Sequence, residues 1–226
     1  MRFFVTWDFN LKYNLFFKLK FLYDEITIKT ILFIYIIIFY DFSLLVWWDD
    51  AAPAEENEME VITDIKLIFT NKADANDKVE AKAKDPDGAG TKELEVSDAI
   101  SLKAATSYTL TFEIMNNLET PGEDIGEEVK EEGAEHQIFF SFTDDAFSDP
   151  AGNGNIDNAS DKINYKDTDS AGNPIGLITE WTTGSTAVSN GEFVVRLQHQ
   201  PDVKTSTSTA TTGDTDFNLK FVLNIQ

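Results

Sequence analysis

Two short acidic segments carry the residue types and spacing that suit a hard cation. "DPDGAG" (Asp85–Gly90) and "DTDSAGN" (Asp167–Asn173) each set two aspartates two residues apart beside glycine. Carboxylates so spaced can surround calcium, with backbone carbonyls completing the oxygen shell. The expected ligands are Asp85, Asp87, Asp167, Asp169 and Asn173. A third segment, "DPAGNGNIDN" (Asp149–Asn158), offers the same residue types. None completes an EF-hand loop, because the fifth position is Ala89 or Ala171 and the twelfth is Val96 or Ile178. Asp, Asn, Gly and Pro are also the ordinary residues of tight turns, which is the competing account of all three segments.

Nitrogen ligands are scarce. The two histidines, His136 and His199, each precede a glutamine at one end of a strand-like run. Paired across a sheet they could bind a transition metal with a nearby carboxylate; as strand-end residues they are expected to be half-exposed polar caps. Thiolate chemistry is absent, since the chain has no cysteine. With 40 acidic residues, close carboxylate pairs of the kind glycoside hydrolysis uses arise by chance. No nucleophile elbow, phosphate-binding glycine loop or HExxH stretch is present. No catalytic residue and no organic cofactor is therefore assigned. Trp181, at strand spacing in "ITEWTTG", is expected in the core or on a sheet face rather than as a sugar-stacking platform.

The elements that would position these residues are strands. "VITDIKLIFT" alternates Ile65, Leu67 and Phe69 against polar neighbours, "KVEAKAK" alternates Val79, Ala81 and Ala83, and "SYTLTFEIMN" alternates Tyr108, Leu110, Phe112 and Ile114. "HQIFFSF", "LITEWTT", "EFVVRLQHQ" and "DFNLKFVLNI" continue the pattern, with weaker runs at "KELEV" and "KINYK". One helical signal, Thr120–His136, has carboxylates in its first turn and Ile125 and Val129 one turn apart. "KTSTSTATTGDTD" (Lys204–Asp216) reads as a long, mobile hairpin loop. The fold class expected is all-β: an antiparallel, immunoglobulin-like β-sandwich of about 7–9 strands with one short connecting helix. Alternation rather than continuous apolar runs argues against a buried parallel sheet.

Three regions follow: a hydrophobic leader (1–48), an acidic linker (49–60) and the sandwich domain (61–226). Removing the leader's five basic and four acidic residues leaves 13 basic and 36 acidic ones, a net charge of −23. Such a surface repels phosphate backbones, so nucleic acid is excluded as a partner. The first fifty residues contain no Ala, Gly or Pro. They read like translated AT-rich DNA and lack the small residues of a signal cleavage site. "ILFIYIIIFY" (Ile31–Tyr40) has the length of a signal h-region and falls short of the roughly 20 residues of a membrane span. The segment is expected to be a defective or mis-started export signal, with an uncleaved anchor and a buried helix as the other readings. "DDAAPAEENEME" then suits a solvated tether.

In order, "EVITD", "DPDGAG", "PGEDIGEEVKEEGAEHQIFF", "DSAGNPIGLITEWTTG", "VVRLQHQPD" and "GDTDFNLKFVLNI" resemble segments of small Bacteroidota surface lipoproteins of unknown function. Members of that group are sometimes labelled as a type 1 periplasmic-binding-fold superfamily. The resemblance covers Asp49–Gln226 and implies a lipid-bearing cysteine just before the acidic run, where this chain has Trp48. It carries no solute-binding role here, because periplasmic-binding folds are two-lobed α/β structures and this domain is too short and β-rich for one.

The function expected is that of a non-catalytic module tethered to the cell envelope, at the outer-membrane surface or in the periplasm, with a binding or structural role. Its partners would be an envelope protein or glycan, and the membrane through an N-terminal anchor or the missing lipid. The alternatives are a carbohydrate-active enzyme or a small-ligand carrier using acidic loop residues. Since every core-forming alternation lies after Met59, a chain beginning at Asp49 is expected to unfold cooperatively on heating. A broad, non-cooperative trace contradicts this.

Overall fold

Alternation of apolar and polar residues becomes two facing sheets. The computed structural model describes residues 60–85, 94–118 and 120–226; the leader, most of the linker and Asp87 lie outside them. Along β1 (Asp64–Asn71), Ile65, Leu67 and Phe69 are buried while their neighbours are half-buried, the period-two outcome of a pleated strand. β2 (Lys78–Lys84) buries Ala81 and Ala83, and β5 (Ser107–Asn116) buries Tyr108, Leu110 and Ile114. The remaining long strands are β7 (His136–Phe142), β10 (Ile178–Thr183), β11 (Val188–His199) and β12 (Asp214–Ile225). Five short strands complete the set: β3 (Glu95–Val96), β4 (Ile100–Leu102), β6 (Glu123–Asp124), β8 (Phe147–Asp149) and β9 (Asn164–Tyr165).

The first sheet runs β3-β2-β1-β5-β10-β8, with β6 added to β5 and β9 to β10; the second runs β4-β12-β11-β7. This is an all-β, two-sheet architecture. Twelve strands among the described residues exceed the expected 7–9 because β3, β4, β6, β8 and β9 are two or three residues long, too short for periodicity to register. One ladder departs from the antiparallel expectation: Ile100–Leu102 pairs in parallel with Leu223–Ile225.

The described residues contain one helix, α1 (Ile125–Glu131), shorter than its sequence signal. Asp124 caps it by accepting a hydrogen bond from the Glu127 N–H, Glu127 and Glu128 occupy the first turn, and Lys130 the last, all favourable to the helix dipole. Glu123 and Asp124 pair with β5 instead of joining the helix, while Ile125 and Val129 are buried as their spacing implies. α1 carries the chain from the end of β5 to the start of β7, and so from one sheet to the other.

Every residue of β7 is buried. Its free edge is covered by loops: Ile138 N–H donates to the Ile175 carbonyl, Phe140 N–H to Asn155 Oδ1, and Phe142 N–H to the Asn153 carbonyl. Covering an edge in this way blocks its pairing with another chain. Gly154, at φ +97°, permits the approach, since a Cβ there would stand 2.3 Å from the Phe140 carbonyl oxygen. The Thr/Ser segment is the β11–β12 connection, held by hydrogen bonds from Arg196 Nη1 to the Ala210 carbonyl and from Gln198 Nε2 to the Thr212 carbonyl.

Between the sheets, Trp181 is 1% exposed and its ring meets Phe140, Phe142, Phe147 and Phe193 at centroid distances of 4.9–5.5 Å. Its indole N–H donates to Thr179 Oγ1 at 2.7 Å, so the one polar atom of the ring is satisfied. Trp181→Ala is expected to cost about 3–5 kcal/mol in urea unfolding. Ile178→Ala on the same strand, where the side chain is 41% exposed, is expected to change stability by about 0.5 kcal/mol or less. Equal losses at the two positions contradict this account of the core.

Candidate metal centre

Of the aspartates singled out by spacing, Asp85 lies apart from Asp167 and Asp169. Asp167 Oδ1 accepts from the Gly176 N–H at 3.1 Å and Oδ2 from the Leu177 N–H at 2.8 Å, fastening the turn that leads into β10. Asp169 Oδ1 accepts from the Ala171 and Asn173 N–H groups, and Oδ2 from the Asn173 side-chain amide. Lys204 Nζ lies 3.4 Å from the same carboxylate, and both side chains are almost fully buried. Burial alone would raise Asp169; the Asn173 hydrogen bonds and the Lys204 charge outweigh it and hold the carboxyl below its ordinary value. Asp85 follows β2, and its N–H donates to the Thr63 carbonyl. From β2 to β10 the sheet order gives three strand spacings, about 14 Å, so Asp85 and Asp167 do not meet around one ion. Asp87 lies outside the described residues.

A different set converges at one end of the sandwich. The core-facing row of β7 and β11 pairs Phe142 with Phe193, Phe140 with Val195, Ile138 with Leu197 and finally His136 with His199. Both histidines are buried, 0% and 5% exposed, which corrects the expectation of half-exposed caps. Their sheet continues past β11, where the Gln200 N–H donates to the Glu135 carbonyl, and α1 ends directly before β7. The imidazoles stack face to face, with centroids 4.6 Å apart and planes within 2°. His199 Nε2 stands 3.7 Å from a Glu135 carboxylate oxygen.

Two carboxylates approach the His136 ring, while the Lys204 ammonium donates to the His136 backbone carbonyl at 2.8 Å. One ring nitrogen of His136 and one carboxylate oxygen each of Glu60 and Glu132 all lie within 4.8 Å of one another. Glu60 arrives from the end of the linker, and Glu132 is the C-cap of α1. The Nδ1 of His136 is 3.3 Å from the Glu132 carbonyl, which can only accept, so Nδ1 carries the proton. Nε2 then holds the free lone pair, and it is buried without a hydrogen-bond partner among the described residues. Burial pushes His136 down to about 4, helped by repulsion from His199 and Lys204 and opposed by the bond to Glu132. The ring is neutral at physiological pH.

Asp216 is a further buried carboxylate of the sandwich, outside that trio. Leu197 pairs with Phe217 and Gln198 with Thr215, so Asp216 is the extra residue of a β-bulge in β12. Gly213, at φ +76°, lets the start of β12 approach β11, where a Cβ would stand 2.0 Å from the His199 carbonyl oxygen. Both carboxylate oxygens of Asp216 are buried and without partners among the described residues. Burial raises Asp216 to about 7, with further contributions from Glu60 and Asp214. Burial likewise raises Glu60 to about 7, with repulsion from Glu128, Glu132 and Glu123 adding to it.

Two of these residues were visible in the sequence as a histidine pair that could meet across a sheet. Glu60 and Asp216 were not: the first reads as linker, and the second ends a Thr/Ser-rich loop. No protein-family model, no curated protein and no solved structure matches the chain.

Because Asp216 is raised, the folded chain keeps a proton that the unfolded chain releases between the ordinary value of 3.8 and about 7. Stability therefore falls as pH rises through that window. His136 contributes oppositely and identically to wild type and variant. In the presence of chelator, Asp216→Asn is expected to stabilise the chain by about 2 kcal/mol at pH 8 and by nothing measurable near pH 3.5, read from urea unfolding at both pH values. A gain independent of pH contradicts the shift.

Proposed function

We propose that the chain is a cell-envelope-tethered β-sandwich module of immunoglobulin-like type that acts through binding or structural contacts rather than catalysis. It belongs, on this reading, with the small Bacteroidota surface lipoproteins that its segments resemble. The observation that carries the reading is the use made of the residues a glycan-processing enzyme would expose. Trp181 is sealed among phenylalanines, and Asp167 and Asp169 are spent on backbone N–H groups and on Lys204. Seven strands of six or more residues in two sheets support the sandwich type. The acidic run after Trp48 supports a solvated tether, since dense like charge resists packing. No helix among the described residues is long and apolar enough to cross a membrane.

The position of Trp48 makes the reading testable. Expressed in a Bacteroidota host with the native leader, Trp48→Cys is expected to incorporate labelled fatty acid and sediment with the outer membrane. Absence of label together with cytoplasmic recovery contradicts envelope tethering. Release of reducing ends from a polysaccharide panel by the purified chain contradicts the non-catalytic part.

A further inference from the structure

We propose that the His136 end of the sandwich is a binding site for one divalent first-row transition ion of the zinc class. Its ligands are a carboxylate oxygen of Glu60, a carboxylate oxygen of Glu132 and the unpartnered ring nitrogen of His136. The site does not rest on where the module resides, and none of its ligands comes from the aspartate turns.

Geometry comes first. A ring nitrogen of His136 and one carboxylate oxygen each of Glu60 and Glu132 lie within 4.8 Å of one another. Tetrahedral zinc with bonds of about 2.0–2.2 Å needs donors about 3.4 Å apart. Closing that difference asks for side-chain rotation of two glutamates that are only partly buried, while the histidine is already fixed. Fixation has two sources: the Nδ1–H bond to the Glu132 carbonyl and the flat stack against His199. A carbonyl on the far nitrogen of a ligating imidazole is the usual means by which tautomer and ring direction are set for a metal.

Two observations beyond the acidic residues point to a ligand. A fully buried imidazole nitrogen has no partner among the described residues, a costly arrangement that a metal bond would remove. Both carboxylate oxygens of Asp216 are also buried and without hydrogen-bond partners among the described residues. A divalent ion here would turn the mutual repulsion of the Glu60 and Glu132 carboxylates into attraction to a shared cation.

Donor chemistry selects the ion. Calcium and magnesium take oxygen shells and gain nothing from imidazole. The absence of cysteine removes the soft thiolate sites of copper(I) and iron–sulfur clusters. One imidazole with two or three carboxylates suits zinc and its first-row neighbours. Because Glu60 ends the linker, Glu132 ends α1 and His136 opens β7, one ion would tie the end of the linker to α1 and to β7.

The test uses the full chain, stripped with chelator and titrated with zinc chloride by calorimetry in excess magnesium, which occupies the general acidic surface. One saturable equivalent is expected, together with a rise in the thermal midpoint that calcium at equal concentration does not produce. Glu60→Gln and Glu132→Gln, both at partly exposed positions that keep their volume, are each expected to weaken zinc binding at least about tenfold. Cobalt(II) substituted for zinc is expected to show visible d–d bands that both variants diminish. Failure to bind one equivalent overturns the proposal. So does unchanged affinity in both glutamine variants, which assigns the zinc to surface carboxylates, and so does equal displacement by calcium.

Discussion

A pleated strand turns every second side chain to the same face, and from Phe142 back to His136 and from Phe193 on to His199 that face is the core. A two-sheet fold cannot release its last inward row to solvent while a helix and a chain entry close over it. The row that begins with two phenylalanines therefore ends with two stacked imidazoles under α1. Register is set by β11: a one-residue slip of that strand would turn Phe193, Val195 and Leu197 away from the core. The apolar positions along β7 and β11 thus hold the histidines where they are.

Three effects compete at that end of the sandwich. Burial disfavours charge on every group it covers, which drives His136 toward neutrality and Glu60 and Asp216 toward protonation. Like charge among the carboxylates acts in the same direction for the acids. Hydrogen bonding opposes it only weakly, since the Glu132 carbonyl satisfies one nitrogen of His136 and nothing described satisfies the other. Elsewhere in the domain the balance is reversed. Asp169 is as buried as its partner Lys204, yet three donors and an adjacent cation hold it ionised. The two sites contain similar residues and differ in how many donors face them.

Local pattern made the strands legible, because burial of Ile65, Leu67, Phe69, Tyr108 and Leu110 follows from alternation alone. It also located α1, through Ile125 and Val129, although pairing of Glu123 and Asp124 with β5 shortened it. What alternation cannot carry is long-range closure. The parallel contact of β4 with β12 joins residues more than a hundred positions apart, and a three-residue strand has no period to detect. The burial of His136 depends on α1 and on the sheet continuing through Glu135 and Gln200. The placement of Asp216 depends on a bulge, and that of Asp169 on a lysine from the Thr/Ser loop. Each of these is set by contacts that no window of neighbouring residues contains.

With two histidines in the chain, long-range ¹H–¹⁵N correlation of the imidazoles across a pH series in chelator tests the central claim most directly. His136 is expected to remain the neutral, Nδ1-protonated tautomer down to about pH 4, its Nε2 resonance showing an unprotonated nitrogen throughout the neutral range. A His136 ring that titrates near its ordinary value of 6.5, or that carries its proton on Nε2, would contradict a buried lone pair at the end of the sandwich.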